Sequence, residues 1–260
     1  MPERPEGPFL SPLNHGAHQP RHLLEPTREN VTKLLDRGSG AIAQITIAPE
    51  LEGAHDAIRQ IVDAGIVAAV GHTAASFEIA QSAFDAGATV LTHTFNAMPS
   101  IHHRKPGPIM AAVADDRVTL ELILDGVHVA PIVARSLFKM VPGRVALITD
   151  SMAATGSPDG TYLLGSQSVN VIARVARVEG SETIAGSTLT QVAALQMAVE
   201  RLGLSLEVAV TALTATPAKA LGVDKRLGHL ASGFAADIVA LAPDLSISHV
   251  WAAGRPVSRP

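Results

Sequence analysis

Residues 65–98 read GIVAAVGHTAASFEIAQSAFDAGATVLTHTFNAM. Two short apolar runs, Ile66–Val70 and Ala88–Leu91, are each followed within two residues by a histidine, His72 and His93. Between them, Ala75, Ile79, Ala80, Ala83 and Phe84 recur at helical spacing. The stretch therefore predicts strand, helix, strand, with one histidine at the carboxyl end of each strand. Twenty-one residues separate the two histidines, the length of one parallel crossover. Neighbouring parallel strands lie roughly 5 Å apart, so two imidazoles at equivalent strand ends can converge on one ion. A parallel α/β barrel also places its chemistry at that end. One such histidine would read as an ordinary strand cap; two in register point to a shared cation.

Composition narrows the remaining choices. The chain has 260 residues, no cysteine, 47% apolar residues but only 3% aromatics, and a formal charge of −4. A sizeable core of small, closely approaching elements follows, in one large α/β domain or a domain with a small appendage. The mild charge argues against nucleic acid or an acidic membrane surface as partner. Without cysteine there is no disulfide framework, and a metal must be held by nitrogen and oxygen. No apolar stretch approaches the roughly 20 residues of a membrane span and no signal-peptide pattern opens the chain, so a soluble cytoplasmic protein is expected.

Upstream, residues 1–22 are rich in Pro, Gly and His and predict loop. Pro2 and Pro5 are poor strand residues, so an irregular lead-in to Glu6 is expected. Glu6 stands in EGPF, and His15 and His18 follow in NHGAH; the segment reads either as a frayed terminus or as a working loop. A helix is expected from Thr27 to Leu35, with Thr27 as its cap, a strand over 41–48 and a helix over 51–64 closed by Gly65.

Downstream of His93 comes TFNAMPSIHHRKPGP. Asn96, the amides around Ala97, Arg104 and Lys105 could hold an anion, or could be a solvated basic loop. A helix over 109–114, a strand over 118–124 ending in DGVH with His128, a helix over 131–140 and a strand over 144–148 continue the alternation. That last strand runs into Asp150, a carboxylate where the earlier strands carry histidines. Near a metal it suits a general base; otherwise it caps a turn. Residues 161–178 predict an antiparallel ribbon, followed by a helix from Ser187 or Thr188 to Arg201 and one over 206–221, in which Pro217 starts a new turn. The tail predicts two strands with a turn at Ala253–Gly254, a small β layer beside a barrel.

The pieces EGPFLSP with GAH, IAPE, GHT, THTFNAMP, DGVH, ITDSMAATG, AGSTLT, TPAKALG and GHLASGFAADIV run in order from Glu6 to the C-terminus. Together they resemble the amidohydrolase superfamily, and within it the N-acetylglucosamine-6-phosphate deacetylase family. That resemblance implies an incomplete (β/α)8 TIM-like barrel over residues 1–221, lacking the family's N-terminal part, and a small accessory β segment over 222–260. It implies one divalent cation, zinc foremost with iron, cobalt or manganese as alternatives, held by Glu6, His72 and His93. Asp150 would be the general base and then the acid for the departing amine. His18 and His128 would contact the substrate, Asn96 and Ala97 would cradle its phosphate, and Arg104 would reach a phosphate across a homodimer interface. The implied reaction is hydrolysis of the N-acetyl group of N-acetylglucosamine 6-phosphate. The alternatives are another amidohydrolase acting on a cyclic amide or amino acid, and a truncated remnant that binds sugar phosphate without catalysis.

Overall fold

The computed structural model describes residues 3–257; the expectation placed on Pro2 lies outside them. The chain divides into two compact units, one running to Leu122 and including Asp150–Thr188, the other comprising Ile123–Thr149 and the described residues from Leu189 onward.

The first unit is built on parallel strands β1 (Gln44–Ile47), β2 (Val67–Val70), β3 (Val90–Leu91) and β4 (Thr119–Ile123), which follow one another in the sheet in chain order. The register pairs Ile47 with Val70, Val70 with Leu91, and Leu91 with Leu120. Every residue of β1 and of β4 is buried, as expected of parallel strands covered on both faces. Helices α1 (Arg28–Gly38), α2 (Ala54–Asp63), α3 (Phe77–Asp85) and α4 (Gly107–Ala114) accompany them; α2 packs on β1 and β2, α1 and α3 pack against α2, and α4 packs against α3. Their sequences declare their starts: the Thr27 side chain accepts from the Asn30 N–H and Ser76 from the Ile79 N–H, satisfying donors that a first helical turn leaves free. Ile58 and Ile61 of α2 and Ala80, Ala83 and Phe84 of α3 form the apolar faces, all buried.

The lead-in to Glu6 is more ordered than its prolines suggest. Glu3 and Glu6 form parallel bridges to Ile42 and Thr46, so the segment lies along β1. Pro5 offers no N–H, but its carbonyl accepts from the Thr46 amide at 3.2 Å, and the Gly7 amide donates to the Thr46 carbonyl at 3.2 Å. One missing donor breaks the ladder into separate bridges without releasing the chain.

Also in this unit, β6 (Gly160–Leu164), β7 (Gln167–Ile172) and β8 (Val175–Val178) form the expected antiparallel ribbon. Its core is Val169, Val171 and Ala176 with Met152, Ala154 and Ala185.

In the second unit α5 (Pro131–Met140) precedes β5 (Val145–Ile148), and the alternation then gives way to helices. The long helix expected from Ser187 or Thr188 starts later: Thr190 caps α6 (Gln191–Gln196), which continues as a π-helical turn over Met197–Arg201. The helix expected over 206–221 is two, α7 (Leu206–Leu213) and α8 (Ala215–Ala220), broken at Thr214 with φ −131° and ψ −77°. Pro217 then sits in the first turn of α8, where its missing N–H costs nothing. The tail forms a three-stranded antiparallel sheet of β9 (Ile238–Leu241), β10 (Ile247–Ala252) and β11 (Arg255–Pro256).

Candidate metal centre

His72 follows β2 after a single glycine. A Cβ on Gly71 would lie 2.7 Å from Thr92 Cβ and 2.8 Å from Thr46 Cγ2, so only glycine lets the three neighbouring strand ends approach. Behind that contact the Thr46 and Thr92 hydroxyls meet at 3.0 Å. The His72 ring is buried, and its Nδ1 lies 2.8 Å from the Asn14 carbonyl oxygen. A carbonyl only accepts, so Nδ1 carries the hydrogen and the Nε2 lone pair faces the other way. His93, equally buried, brings its own Nε2 to 3.0 Å from that of His72. The two rings meet edge to face with centroids 4.7 Å apart.

Glu6 closes the group. Its Oε1 lies 3.1 Å from His93 Nε2, and its Oε2 lies 3.3 Å from His72 Nε2 and 3.2 Å from His18 Nε2. Ligand atoms of Glu6, His72 and His93 all fall within 4.8 Å of one another. Burial would raise the Glu6 carboxyl, but the His18, His72 and His93 imidazoles around it hold it well below the usual carboxylate range. Burial would likewise depress His93; the Glu6 hydrogen bond and charge, with the Asp150 charge behind, raise it instead.

These residues fit a divalent cation. Two imidazole nitrogens face each other, that of His72 with its lone pair left free by the Asn14 carbonyl, and a carboxylate lies beside both. Bonds of about 2.0–2.1 Å to a tetrahedral ion set two nitrogen ligands about 3.3 Å apart, within a few tenths of the 3.0 Å observed. Fixing the His72 tautomer through a carbonyl is how metal-binding imidazoles are commonly oriented.

Around the three, the backbone is strained. Ten non-glycine residues among those described have positive φ, and five are His72, His93, Phe95, Ala97 and Asp150. Such conformations cost about 1–3 kcal/mol each and concentrate where a site over-determines them. Asp150, at φ 48°, follows β5; its carbonyl accepts from the Ser187 amide at 2.6 Å, and Gly186 clears the space, since a Cβ there would lie 2.9 Å from that oxygen.

The other expected residues are placed as follows. His18 stands edge-on to His72 with centroids 4.9 Å apart. Asn96 turns back on its own segment, its side-chain amide donating to the His93 carbonyl at 3.2 Å, and the Ala97 carbonyl accepts from the Thr73 amide at 3.0 Å. Arg104 is exposed at the tip of a turn bridged by His102 and Lys105. His128 belongs to the second unit, where its Nδ1 lies 2.6 Å from Asp125 Oδ2 and the same carboxylate accepts the Val127 and His128 amides.

Three polar residues enter without having been singled out from the sequence. Arg4 is ion-paired with Glu121, and Gln44 Nε2 donates to the same carboxylate at 3.2 Å. Burial pulls the Arg4 guanidinium below its usual value, against the opposing charges of Glu6 and Asp150. The available signal was Glu121 itself, a lone charge inside the apolar run VTLELIL.

The amidohydrolase family pattern matches residues 5–257. The chain belongs to the amidohydrolase family. This amidohydrolase is 38% identical over 250 residues to the N-acetylgalactosamine-6-phosphate deacetylase of Escherichia coli O157:H7, covering 96% of this chain and 66% of that protein. It is 36% identical to the N-acetylglucosamine-6-phosphate deacetylase of Vibrio furnissii, covering 96% and 62%. Among solved structures, the N-acetyl-D-glucosamine-6-phosphate deacetylase of Mycobacterium smegmatis superposes with TM-score 0.93 at 48% identity, over 97% of this chain and 68% of that one. A mutant of the same enzyme, in complex with N-acetyl-D-glucosamine-6-phosphate, also superposes at 0.93. The chain thus spans about two thirds of the length of these relatives. The strand–helix alternation and the small antiparallel sheet at its end are those of the family's TIM-barrel-type fold, as the sequence resemblance implied.

Proposed function

We propose that the protein hydrolyses the N-acetyl group of N-acetylglucosamine 6-phosphate, giving glucosamine 6-phosphate and acetate. The convergence of Glu6, His72 and His93 within 4.8 Å carries this reading, together with relatives of 36% and 48% identity named as deacetylases of that substrate. In this reading the three side chains hold one divalent ion, zinc foremost. When bound, the ion would supply Lewis acidity and lower the pKa of water toward neutrality.

The protein's own groups do the rest. Asp150 accepts a proton from the attacking water and returns it to the departing amine, so one carboxyl serves both halves of the reaction. Its charge favours protonated His93 and Arg4, which supports placing the carboxylate facing the metal ligands. His18 orients the acetamide from beside Glu6. His128, its ring fixed by Asp125, presents Nε2 to a sugar hydroxyl. Asn96 and the Ala97 amide cradle the phosphate, and Arg104, exposed on its turn, reaches the phosphate of a second copy in a homodimer. We assign residues 1–221 to the partial barrel and 222–260 to the accessory β segment. The location is cytoplasmic: the substrate is a charged sugar phosphate, and among the described residues no helix is long and apolar enough to cross a membrane.

Acetate release from N-acetylglucosamine 6-phosphate by the zinc-loaded chain, beside its galactose epimer, tests the reading. Acetate from the gluco substrate at the higher kcat/KM is expected. Preference for the galacto epimer would move the assignment to that of the Escherichia coli relative. Bound zinc without acetate from either would refute the function.

A further inference from the structure

Glu50 follows β1 in IAPE and belongs to neither the metal ligands nor the general base. Both of its carboxylate oxygens are committed to the turn that carries His72. Oε1 accepts the Ala74 amide at 2.6 Å, and Oε2 accepts the Thr73 hydroxyl. The Thr73 oxygen in turn accepts the Ala75 amide at 2.9 Å. Thr73 is fully buried, and its amide donates to the Ala97 carbonyl at 3.0 Å. One side chain thus grips the segment directly after His72, and that segment grips the Asn96–Ala97 turn.

The two ends of this chain of bonds share a conformational problem. His72 sits at φ 47° and Ala97 at φ 48°, both in the left-handed region that non-glycine residues avoid. Such backbone persists only where neighbouring contacts outweigh its cost. Near His72 those contacts are the Asn14 carbonyl on the ring, the Ser11 amide on the His72 carbonyl at 2.9 Å, and the Glu50 carboxylate on the next two residues. Of these, only the Glu50 link continues to Ala97.

We propose that Glu50 is a positioning residue, holding the His72 ligand and the Asn96–Ala97 turn in one frame so that metal binding and sugar-phosphate binding both depend on it. The second half rests on the function proposed above; the first does not. Groups that orient a metal ligand typically change metal affinity 10- to 100-fold when removed.

The test compares Glu50→Ala, Glu50→Gln and Thr73→Val by zinc competition against a chromophoric chelator, with circular dichroism confirming the fold. Glu50→Ala removes both acceptors, and zinc Kd is expected to rise about 10- to 100-fold. Glu50→Gln can still accept from Ala74 and can donate to the Thr73 oxygen, so recovery to within about threefold of the parent is expected. Should Glu50→Ala not fold, Thr73→Val carries the test, with an expected loss of about tenfold. In an active parent, KM for the sugar phosphate rises in the same variants. A folded Glu50→Ala, or Thr73→Val in its place, that binds zinc like the parent would overturn the proposal. The zinc titration needs no turnover: an inactive parent whose zinc affinity falls in Glu50→Ala refutes the proposed function and leaves this inference standing.

Discussion

His72 Nε2 and His93 Nε2 face each other at 3.0 Å, each ring standing two residues beyond the paired residues Val70 and Leu91 of adjacent parallel strands. The strand register therefore aligns the two imidazoles, and the Asn14 carbonyl settles which nitrogen of His72 is free. Without a cation, Glu6, with Oε1 3.1 Å from His93 Nε2, favours a proton on that ring.

That proton sets a pH dependence. Glu6 lies well below the usual carboxylate range and His93 above the usual imidazole value. Glu6 contributes stability above its unfolded value of about 4.3, lost as pH falls through its depressed folded value. His93 contributes stability below its unfolded value of about 6.5, lost as pH rises through its raised folded value. The melting temperature of chelator-treated protein should therefore decline as pH rises past neutrality. Zinc must displace the proton, so its stabilisation should grow over the same range. Scanning calorimetry with and without zinc checks both; parallel profiles would contradict the coupling.

Arg4 and Glu121 make a second test. The Glu121 side chain is 5% exposed and that of Arg4 36%. Arg4→Met strands a buried carboxylate, and with a discount for the exposed side of Arg4 the expected loss is about 2–3 kcal/mol. Adding Glu121→Leu should recover most of it. Urea unfolding of the two variants measures the difference; equal stabilities would show that the pair does not act as a unit.

Gly71→Ala forces a Cβ to within 2.8 Å of Thr46 and Thr92. Overpacking of this kind costs about 1–3 kcal/mol. Because the strain falls beside His72, zinc affinity should drop together with the unfolding midpoint. A variant that loses stability but keeps its zinc Kd would separate the packing from the metal centre.

Asp125 fixes His128. Burial would raise the Asp125 carboxyl, but hydrogen bonds from the His128 ring and amide and from the Val127 amide lower it. The pair thus contributes stability above the usual carboxylate value of about 3.9, lost as pH falls through the depressed folded value. Asp125→Asn should remove this acid dependence and lower kcat/KM about tenfold or more by freeing the ring. An unchanged kcat/KM would remove His128 from the substrate site.

Much of this was legible in the chain because it is local. The apolar runs before His72 and His93, the helical spacing between them, and the Thr27 cap all act within a few residues, and each appears where the sequence puts it. What escaped depends on separation. Arg4 meets Glu121 across 117 positions, so nothing in PERPEGP signals its partner. Pro5 argued against a strand, yet one lost donor does not outweigh the bonds of Glu3 and Gly7 to residues beside it. The π-helical turn at Met197–Arg201 has no local breaker, whereas the break at Thr214 was signalled by Pro217, whose ring cannot sit against the Leu213 carbonyl in a continuous helix. Glu50 was visible in IAPE, but its partners Thr73 and Ala74 lie one strand away.

X-ray absorption at the zinc edge of the metal-loaded protein reads the ligands of the ion themselves. One zinc per chain is expected, with imidazole scattering from two histidines at about 2.0–2.1 Å and a carboxylate oxygen at about 2.0–2.2 Å. Loss of half that imidazole signal in His93→Ala would assign it. A spectrum of oxygen neighbours alone, or one that His93→Ala leaves unchanged, would place the metal elsewhere and contradict the site.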